Sequence, residues 1–258
     1  MAMSNHSKPE FSYTGSAITR LLANVRAFTM LLLTLLLSIH LSWLINAQAG
    51  YGYSWLYTMY DIENHIEQYA PHNRFRSGFE FTTASQHKEI FQSIVDSVHN
   101  DGRGLEEIVY VSSRSPVSVP VLHQAEIIHL KDVAALINAL HILAAVCAVI
   151  LLLLGVWQRK AIKAQEPAAS KQGIAAVFAV LVGVGIVLFM IFGAKQIFYQ
   201  LHVWIFPDNH QWFFYYQDSL MSTLMKAPDL FAGIAIQILL LGLIIFFAVL
   251  SAVKKALN

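Results

Sequence analysis

The sequence is poor in charged residues and in cysteine. Lysine, arginine, aspartate and glutamate make up 13% of its 258 residues, against about 25% in soluble globular domains. Because 56% of the residues are hydrophobic, this deficit indicates a membrane protein. A formal net charge of +1 leaves no basic excess for a nucleic-acid partner. The single cysteine, Cys147, excludes an intramolecular disulfide and gives no information on the redox compartment.

Four long apolar runs are present, and each is long enough to cross a bilayer, which takes roughly 20 residues. They cover residues 27–47, 133–156, 173–195 and 229–252. The first run ends near Ala47-Gln48-Ala49, which resembles a signal-peptide cleavage site. The run is longer than the apolar core of a signal peptide, and more than twenty residues precede it. We therefore predict a retained membrane anchor.

Basic residues predict the orientation of the four spans. They are concentrated before the first span, between the second and third, and after the fourth: Lys8, Arg20, Arg26, Arg159, Lys160, Lys163, Lys171, Lys254 and Lys255. Two of the sixteen acidic residues, Glu10 and Glu166, share those segments. By the positive-inside rule these segments are cytoplasmic, and the remaining two connections are outside.

The predicted fold is an all-α membrane protein with four transmembrane helices, both termini inside, and a small mixed α/β extracytoplasmic domain between spans one and two. Its predicted segments are the cytoplasmic N-terminal segment 1–26, the spans 27–47, 133–156, 173–195 and 229–252, the extracytoplasmic domain 48–132, the cytoplasmic loop 157–172, the extracytoplasmic loop 196–228 and the cytoplasmic tail 253–258.

The domain at 48–132 has its own secondary-structure signals. Helices are predicted at 54–70 and 85–99, the second with an apolar face made of Ile90, Phe91, Ile94 and Val95. The stretch NDGRG at 100–104 breaks the chain. EIVYVSS and SPVSVPVL follow as two short strands, predicted to form a hairpin.

The stretch EIIHLKDV at 126–133 places two carboxylates and an imidazole on one helical stripe. Glu126, His129 and Asp132 recur at three-residue spacing just before the second span. A carboxylate one turn from a histidine can hold its Nδ1–H and leave Nε2 free as a base. The alternative is a solvated helix end with an ion pair. Asp132 favours the functional reading, because an acid at a span boundary usually faces a protein interior or a wet cavity.

A second polar motif, LHVWIFPDNHQW at 201–212, opens the other external connection. The predicted orientation places it on the same face as Glu126–Asp132. His202 lies about one turn past the third span, whereas Asp208 either orients a histidine or caps the Pro207 turn. His210 is predicted to be a surface residue.

Other histidines and aromatic residues allow two interpretations each. His40 and His141 lie inside predicted spans, where each is either a functional group or a neutral histidine bonded between helices. Aromatic residues near the outer face form a headgroup-level belt or line a groove for an acyl chain or headgroup. The predicted substrate-binding candidates are Tyr199, Phe206, Trp212 and Tyr216.

Both motifs resemble those of one bacterial family of four-span integral membrane proteins. EIIHLKDV is similar to the family's ExxHxxDV motif, and the block from Phe198 through IFPDNHQW to Pro228 is similar to its second histidine motif. The family includes the lipoprotein intramolecular transacylase. Segment 70–122 has no counterpart in this resemblance and is longer than the family pattern requires.

The resemblance implies a bacterial cytoplasmic (inner) membrane enzyme with its site on the extracytoplasmic face. Its reaction moves an acyl chain from the sn-2 ester of a diacylglyceryl-cysteine lipoprotein to the cysteine's α-amino group. His129 and His202 would be the catalytic histidines, and Glu126, Asp132 and Asp208 would orient them. The implied partners are the lipid bilayer and a lipidated protein or glycerolipid, with no cofactor and no metal.

Two alternatives remain at this point. His129, Asp132 and His202, with Glu126, are a possible zinc set for a membrane hydrolase, although the chain has no HExxH or CxxC motif. The second alternative is a non-enzymatic scaffold whose outer domain, including 70–122, binds a partner protein.

Overall fold

The computed structural model describes residues 11–257. Residues 1–10 and Asn258, which belong to the predicted N-terminal segment and tail, lie outside the described residues. In chain order the elements are α1 (Phe11–Gln48), α2 (Tyr53–Met59), α3 (Ile62–Tyr69), α4 (Ala84–Val98), the strands β1 (Val109–Ser112) and β2 (Ser115–Pro120), α5 (Gln124–Lys163), α6 (Lys171–Ile205), α7 (Leu220–Met225) and α8 (Asp229–Leu257).

Four helices are long and apolar enough to cross a membrane, as predicted. These segments are Ala17–Gln48 in α1, Gln124–Lys163, Lys171–Gly193 in α6, and Asp229–Lys255 in α8. With 40 residues, α5 is about 60 Å long, about twice the thickness of the hydrocarbon core. The polar stripe of Glu126, His129 and Asp132 lies on the first turns of this helix, which continues into the apolar segment without a break.

The chain divides into two compact units. Among the described residues, one contains 11–37 and 145–191, and the other contains 38–144 and 192–257. In the first unit the buried Arg26 donates to Gln158 (2.8 Å) and to Glu166 (3.3 Å). Pairing of this kind is what allows a guanidinium to be buried.

Helix α4 confirms the predicted apolar face in the second unit. Its Ile90, Phe91, Ile94 and Val95 are all buried. The helix begins at a capping box, in which Thr83 and Gln86 each accept from the other's backbone N–H. A reciprocal cap satisfies two amide donors that the first turn leaves free, so the start of α4 is well defined.

The predicted break and hairpin follow α4. Asp101, Gly102 and Gly104 all have positive φ angles, 58°, 74° and 89°, a region that glycine occupies without strain. Strands β1 and β2 then pair antiparallel, with Val109 opposite Pro120 and Tyr110 opposite Val119. The predicted hairpin is confirmed.

The core of the second unit joins the domain between α1 and α5 to the first turns of α5 and to α7. Apolar side chains from all three parts form one buried cluster that includes Leu56, Ile62, Phe79, Ile94, Ile127, Leu130, Leu220 and Leu224. Burial of each such side chain contributes about 1.5–3 kcal/mol. The cluster therefore holds the α5 stripe and the residues just before α7 in fixed positions.

Candidate active site

Glu126 is fully buried at the start of α5, and its Oε2 atom lies 3.6 Å from Nε2 of His123, three residues earlier. Its carboxylate accepts from the Ser219 hydroxyl and from the backbone N–H of His123 (2.7 Å). Two donors compensate much of the cost of burying a carboxylate. The predicted contact with His129 is not made, because Glu126 turns toward the segment that precedes α7.

His129 is buried one turn further along α5, among aromatic rings. Its ring centroid lies 4.8 Å from that of Phe206, 6.0 Å from Phe214 and 6.3 Å from His202. Within residues 11–257 its Nδ1 atom has no hydrogen-bond partner. The predicted carboxylate partner for Nδ1 is therefore absent from this arrangement.

His202 lies on the last turns of α6 and faces His129. Its Nδ1 atom is 2.8 Å from the carbonyl oxygen of Phe198, one turn back. Because a carbonyl only accepts, Nδ1 must donate, and Nε2 then has a free lone pair. Burial lowers the pKa of His202, and the Phe198 carbonyl opposes this effect. The neutral form, with a basic Nε2, is therefore favoured at neutral pH.

Asp132 is bonded to His210, which corrects the prediction that His210 is merely a surface residue. The His210 Nδ1 atom and the Asp132 Oδ2 atom are 2.6 Å apart. The two residues are 78 positions apart in sequence, so no local spacing rule could have paired them. The aspartate predicted to orient His129 thus holds a third histidine.

Three of the four predicted substrate-binding aromatic residues lie around the histidine pair. Phe206 and Trp212 have ring centroids 5.3 and 4.9 Å from that of His202. Tyr199 contacts Trp212 at 5.6 Å. Phe214, which was not among the predicted site residues, is buried against His129. Its position in the WFFYY run resembles that of its neighbours, and no sequence signal singles it out.

Two predicted site residues lie elsewhere. The Tyr216 hydroxyl donates to the carbonyl of Ala227 (2.7 Å), and its ring packs on His65 and Tyr69. Asp208 is exposed in the turn after α6, and in the described part of the chain it makes no hydrogen bond to either central histidine.

His40 and His141 form a separate group. Their Nε2 and Nδ1 atoms are 3.5 Å apart, and Trp43 stacks on His141 at 5.3 Å. This arrangement agrees with the interpretation of histidines bonded between helices. Among the residues that the structure describes, no group of three or more histidine, cysteine or acidic side chains could hold a metal ion. The zinc alternative therefore has no ligand set there.

A comparison with protein-family models matches residues 24–227 to the lipoprotein intramolecular transacylase Lit family. This match spans well over half of the chain. The chain belongs to the Lit family. Membership confirms the resemblance seen in the two motifs and the prediction of an enzyme, and it argues against the scaffold alternative.

The fold is also that of a solved Lit structure. The chain is similar to the membrane-integral lipoprotein intramolecular transacylase Lit from Bacillus cereus, a histidine-to-arginine variant determined in meso, with a TM-score of 0.55 and 14% identity. The similarity covers 95% of this chain and 96% of the other. No curated protein matches. The Lit match runs through 70–122, so the expectation that this segment lies outside the family pattern is wrong.

Proposed function

We propose that this Lit-family protein moves an ester-linked acyl chain of a diacylated lipoprotein, or of a related glycerolipid, to an amine of the same molecule. His129 and His202 form the catalytic pair. The observation that supports this most directly is the pair itself, two imidazoles with centroids 6.3 Å apart in an aromatic setting.

His202 acts as the base in this proposal. Its Nδ1–H is engaged by the Phe198 carbonyl, and its Nε2 lone pair can accept a proton from the attacking amine. A histidine positioned in this way contributes general-base catalysis. Since burial lowers the pKa of His202, it stays unprotonated and competent at neutral pH.

His129 acts as the acid. It is buried, and it has a ring nitrogen without a partner in residues 11–257. A nitrogen that the protein leaves free is available to a substrate oxygen. We place it next to the glyceryl oxygen of the ester, to which it gives a proton.

The reaction follows from these two roles. The amine nitrogen attacks the ester carbonyl, a new C–N bond forms, and the C–O bond to the glyceryl group breaks. His202 takes a proton from nitrogen, the glyceryl oxygen receives one from the N–H of His129, and His129 regains a proton from His202, so that both histidines end the cycle neutral. Because donor and acceptor groups belong to one substrate molecule, proximity lowers the barrier.

Aromatic residues would bind the lipid part of the substrate. Phe206 and Trp212 adjoin the histidines, Tyr199 packs against Trp212, and these aromatic rings suit the first carbons of an acyl chain. Glu126 would act at a distance by holding α5 to the Ser219 segment. Tyr216 and Asp208 are not assigned to the site.

The predicted topology completes the proposal. The last turns of α5 and α8 contain the basic residues Lys160, Lys163, Lys254 and Lys255, which supports a cytoplasmic position for both helix ends. The histidine pair would then lie on the extracytoplasmic face of the bacterial inner membrane, where the lipoprotein substrate is exposed.

The test is acyl transfer by purified protein on a diacylated lipoprotein, read by mass spectrometry. We expect the total mass to stay constant while one acyl chain moves from the glyceryl group to the N-terminal cysteine, as seen in fragment ions. His129→Ala and His202→Ala should lose at least about 100-fold in rate, the lower range for general acid–base catalysis.

The exposed histidine His72 supplies the control. His72→Ala should keep wild-type activity, and all variants should show comparable thermal unfolding. If folded wild-type protein leaves the lipoprotein untouched, the proposed function fails. If either central histidine is dispensable, the assigned roles fail.

A further inference from the structure

The pair of Asp132 and His210 forms a third proton-handling group beside the central histidines. The Asp132 carboxylate accepts from His210 Nδ1 at 2.6 Å. Because Nδ1 is engaged in this contact, Nε2 is the nitrogen of His210 that remains for other partners. An aspartate that holds Nδ1 fixes the tautomer and the orientation of a histidine ring.

The start of α5 and the turn after α6 hold this pair in place. Asp132 lies one helical turn after His129 on α5, so the two side chains are neighbours on one face. The backbone N–H of His210 donates to the Pro207 carbonyl at 3.0 Å, closing the turn that follows α6. The titratable group that the structure shows in contact with His210 is Asp132; on α5, Lys131 is paired with Glu106 at 2.8 Å, and His129 follows on the same face as Asp132.

Solvent access distinguishes this pair from His129. The side chains of His210 and Asp132 are 31% and 22% exposed, whereas His129 is buried. A group at this depth can exchange a proton with water and can also meet a substrate that enters the site.

The proposed reaction needs such a group, because two protons leave the substrate nitrogen and have different destinations. An α-amino group has a pKa near 8 and enters mostly as an ammonium ion. One proton must leave for water before the nitrogen can attack. The second leaves as the amide forms and is balanced by the proton gained by the glyceryl oxygen. The net reaction therefore releases one proton to solvent.

We propose that His210 is a third catalytic histidine, which takes the first proton from the substrate ammonium and passes it to water. Asp132 is its positioning residue, and its carboxylate also offsets the charge of the ammonium. His202 and His129 then carry out acyl transfer on the neutral amine. This inference rests on the proposed function, since it concerns the amine end of the same substrate.

The pH profile of acyl transfer by His210→Ala tests the inference in the full-length protein. At pH 7 we expect a rate about 100-fold below wild type. The deficit should shrink toward zero above about pH 9, where the substrate amine is already neutral. Asp132→Asn should show the same trend with a smaller deficit, because the amide keeps the shape but not the charge.

Three other results would contradict this inference. A His210→Ala deficit that is equal at every pH would show a merely structural role, and wild-type activity at pH 7 would show no role. If the wild-type protein is active and His129→Ala is inactive at every pH, either result overturns this inference and leaves the proposed function standing. Wild-type protein that moves no acyl chain would overturn the proposed function, and this inference with it. His72→Ala is again the matched control.

Discussion

At the scale of single residues, the buried carboxylate of Glu126 depends on two donors that come from different parts of the chain. His123 supplies a backbone N–H from the residue just before α5, and Ser219 supplies a hydroxyl from the segment before α7. Ser219 is itself fully buried and also accepts from the Ser222 backbone N–H. The Ser219 hydroxyl therefore links α5 to α7 and caps the latter.

Ser219→Ala removes one donor from Glu126 and the cap of α7 together. A buried group that loses its partner costs about 1–3 kcal/mol. We expect the free energy of unfolding in detergent to fall by that amount, with reduced activity because the α5 stripe loosens. Ser118→Ala, at an exposed strand position, should change stability by less than about 0.5 kcal/mol. Equal stability of the two variants would contradict the role given to Ser219.

His202 shows how a backbone atom can set the chemistry of a side chain. The carbonyl of Phe198, one turn earlier on α6, accepts from Nδ1. For His129, a carboxylate was predicted to accept the hydrogen bond from Nδ1. In the structure the acceptor for Nδ1 of His202 is the Phe198 carbonyl, and the acceptor for Nδ1 of His210 is Asp132. Residue spacing alone did not predict either pairing.

At the scale of elements, α4 contains a histidine that the fold keeps neutral. His87 is buried, and its two ring nitrogens lie 2.8 Å from the Tyr57 hydroxyl and 2.7 Å from the Thr82 hydroxyl. Burial lowers its pKa from 6.5 to about 4. The unfolded chain therefore binds a proton at His87 at a higher pH than the folded chain does.

This difference predicts that the domain between α1 and α5 is sensitive to acid. The stability due to neutral His87 is complete above pH 6.5 and is lost as pH falls from 6.5 toward 4. We expect the thermal midpoint in detergent to decrease through that window. His87→Gln should flatten the dependence, because glutamine does not titrate. The same change at exposed His72 is the control, and an unchanged slope in His87→Gln would refute the assignment.

At the scale of the whole molecule, the asymmetric placement of basic residues predicts both termini in the cytoplasm. The hairpin of β1 and β2 should then be outside and the α5–α6 loop inside. Ser118 on β2 and Ala168 in that loop are both exposed, and each offers a site for a single cysteine once Cys147 is replaced by alanine.

Labelling of intact cells tests this orientation. A membrane-impermeant maleimide should modify Ser118→Cys once the outer surface of the inner membrane is accessible. It should modify Ala168→Cys only after lysis. The reverse pattern would place the histidine pair on the cytoplasmic side and contradict the proposed localisation.

Much of the fold was predictable because the membrane limits the choices. A backbone in hydrocarbon must satisfy its own hydrogen bonds, so runs such as 133–156 and 229–252 could only be helices there. The period of Ile90, Phe91, Ile94 and Val95 predicted α4, and the stretch NDGRG after it predicted the break, where the structure has positive φ angles. The spacing of Glu126, His129 and Asp132 placed them on one helix for the same local reason.

The two central histidines of the candidate site could be predicted from the sequence, and the structure shows that they lie close together. The hydrogen-bond partners of the site residues could not be predicted. His210 meets Asp132, and Ser219 meets Glu126, across 78 and 93 positions of sequence. Such contacts depend on where the turn at Pro207 directs the chain and on how the apolar cluster packs α5 against α7. Local periodicity follows from a few neighbouring residues, whereas these partners follow from the packing of the whole second unit. Tertiary packing alone therefore decided which carboxylate serves which histidine.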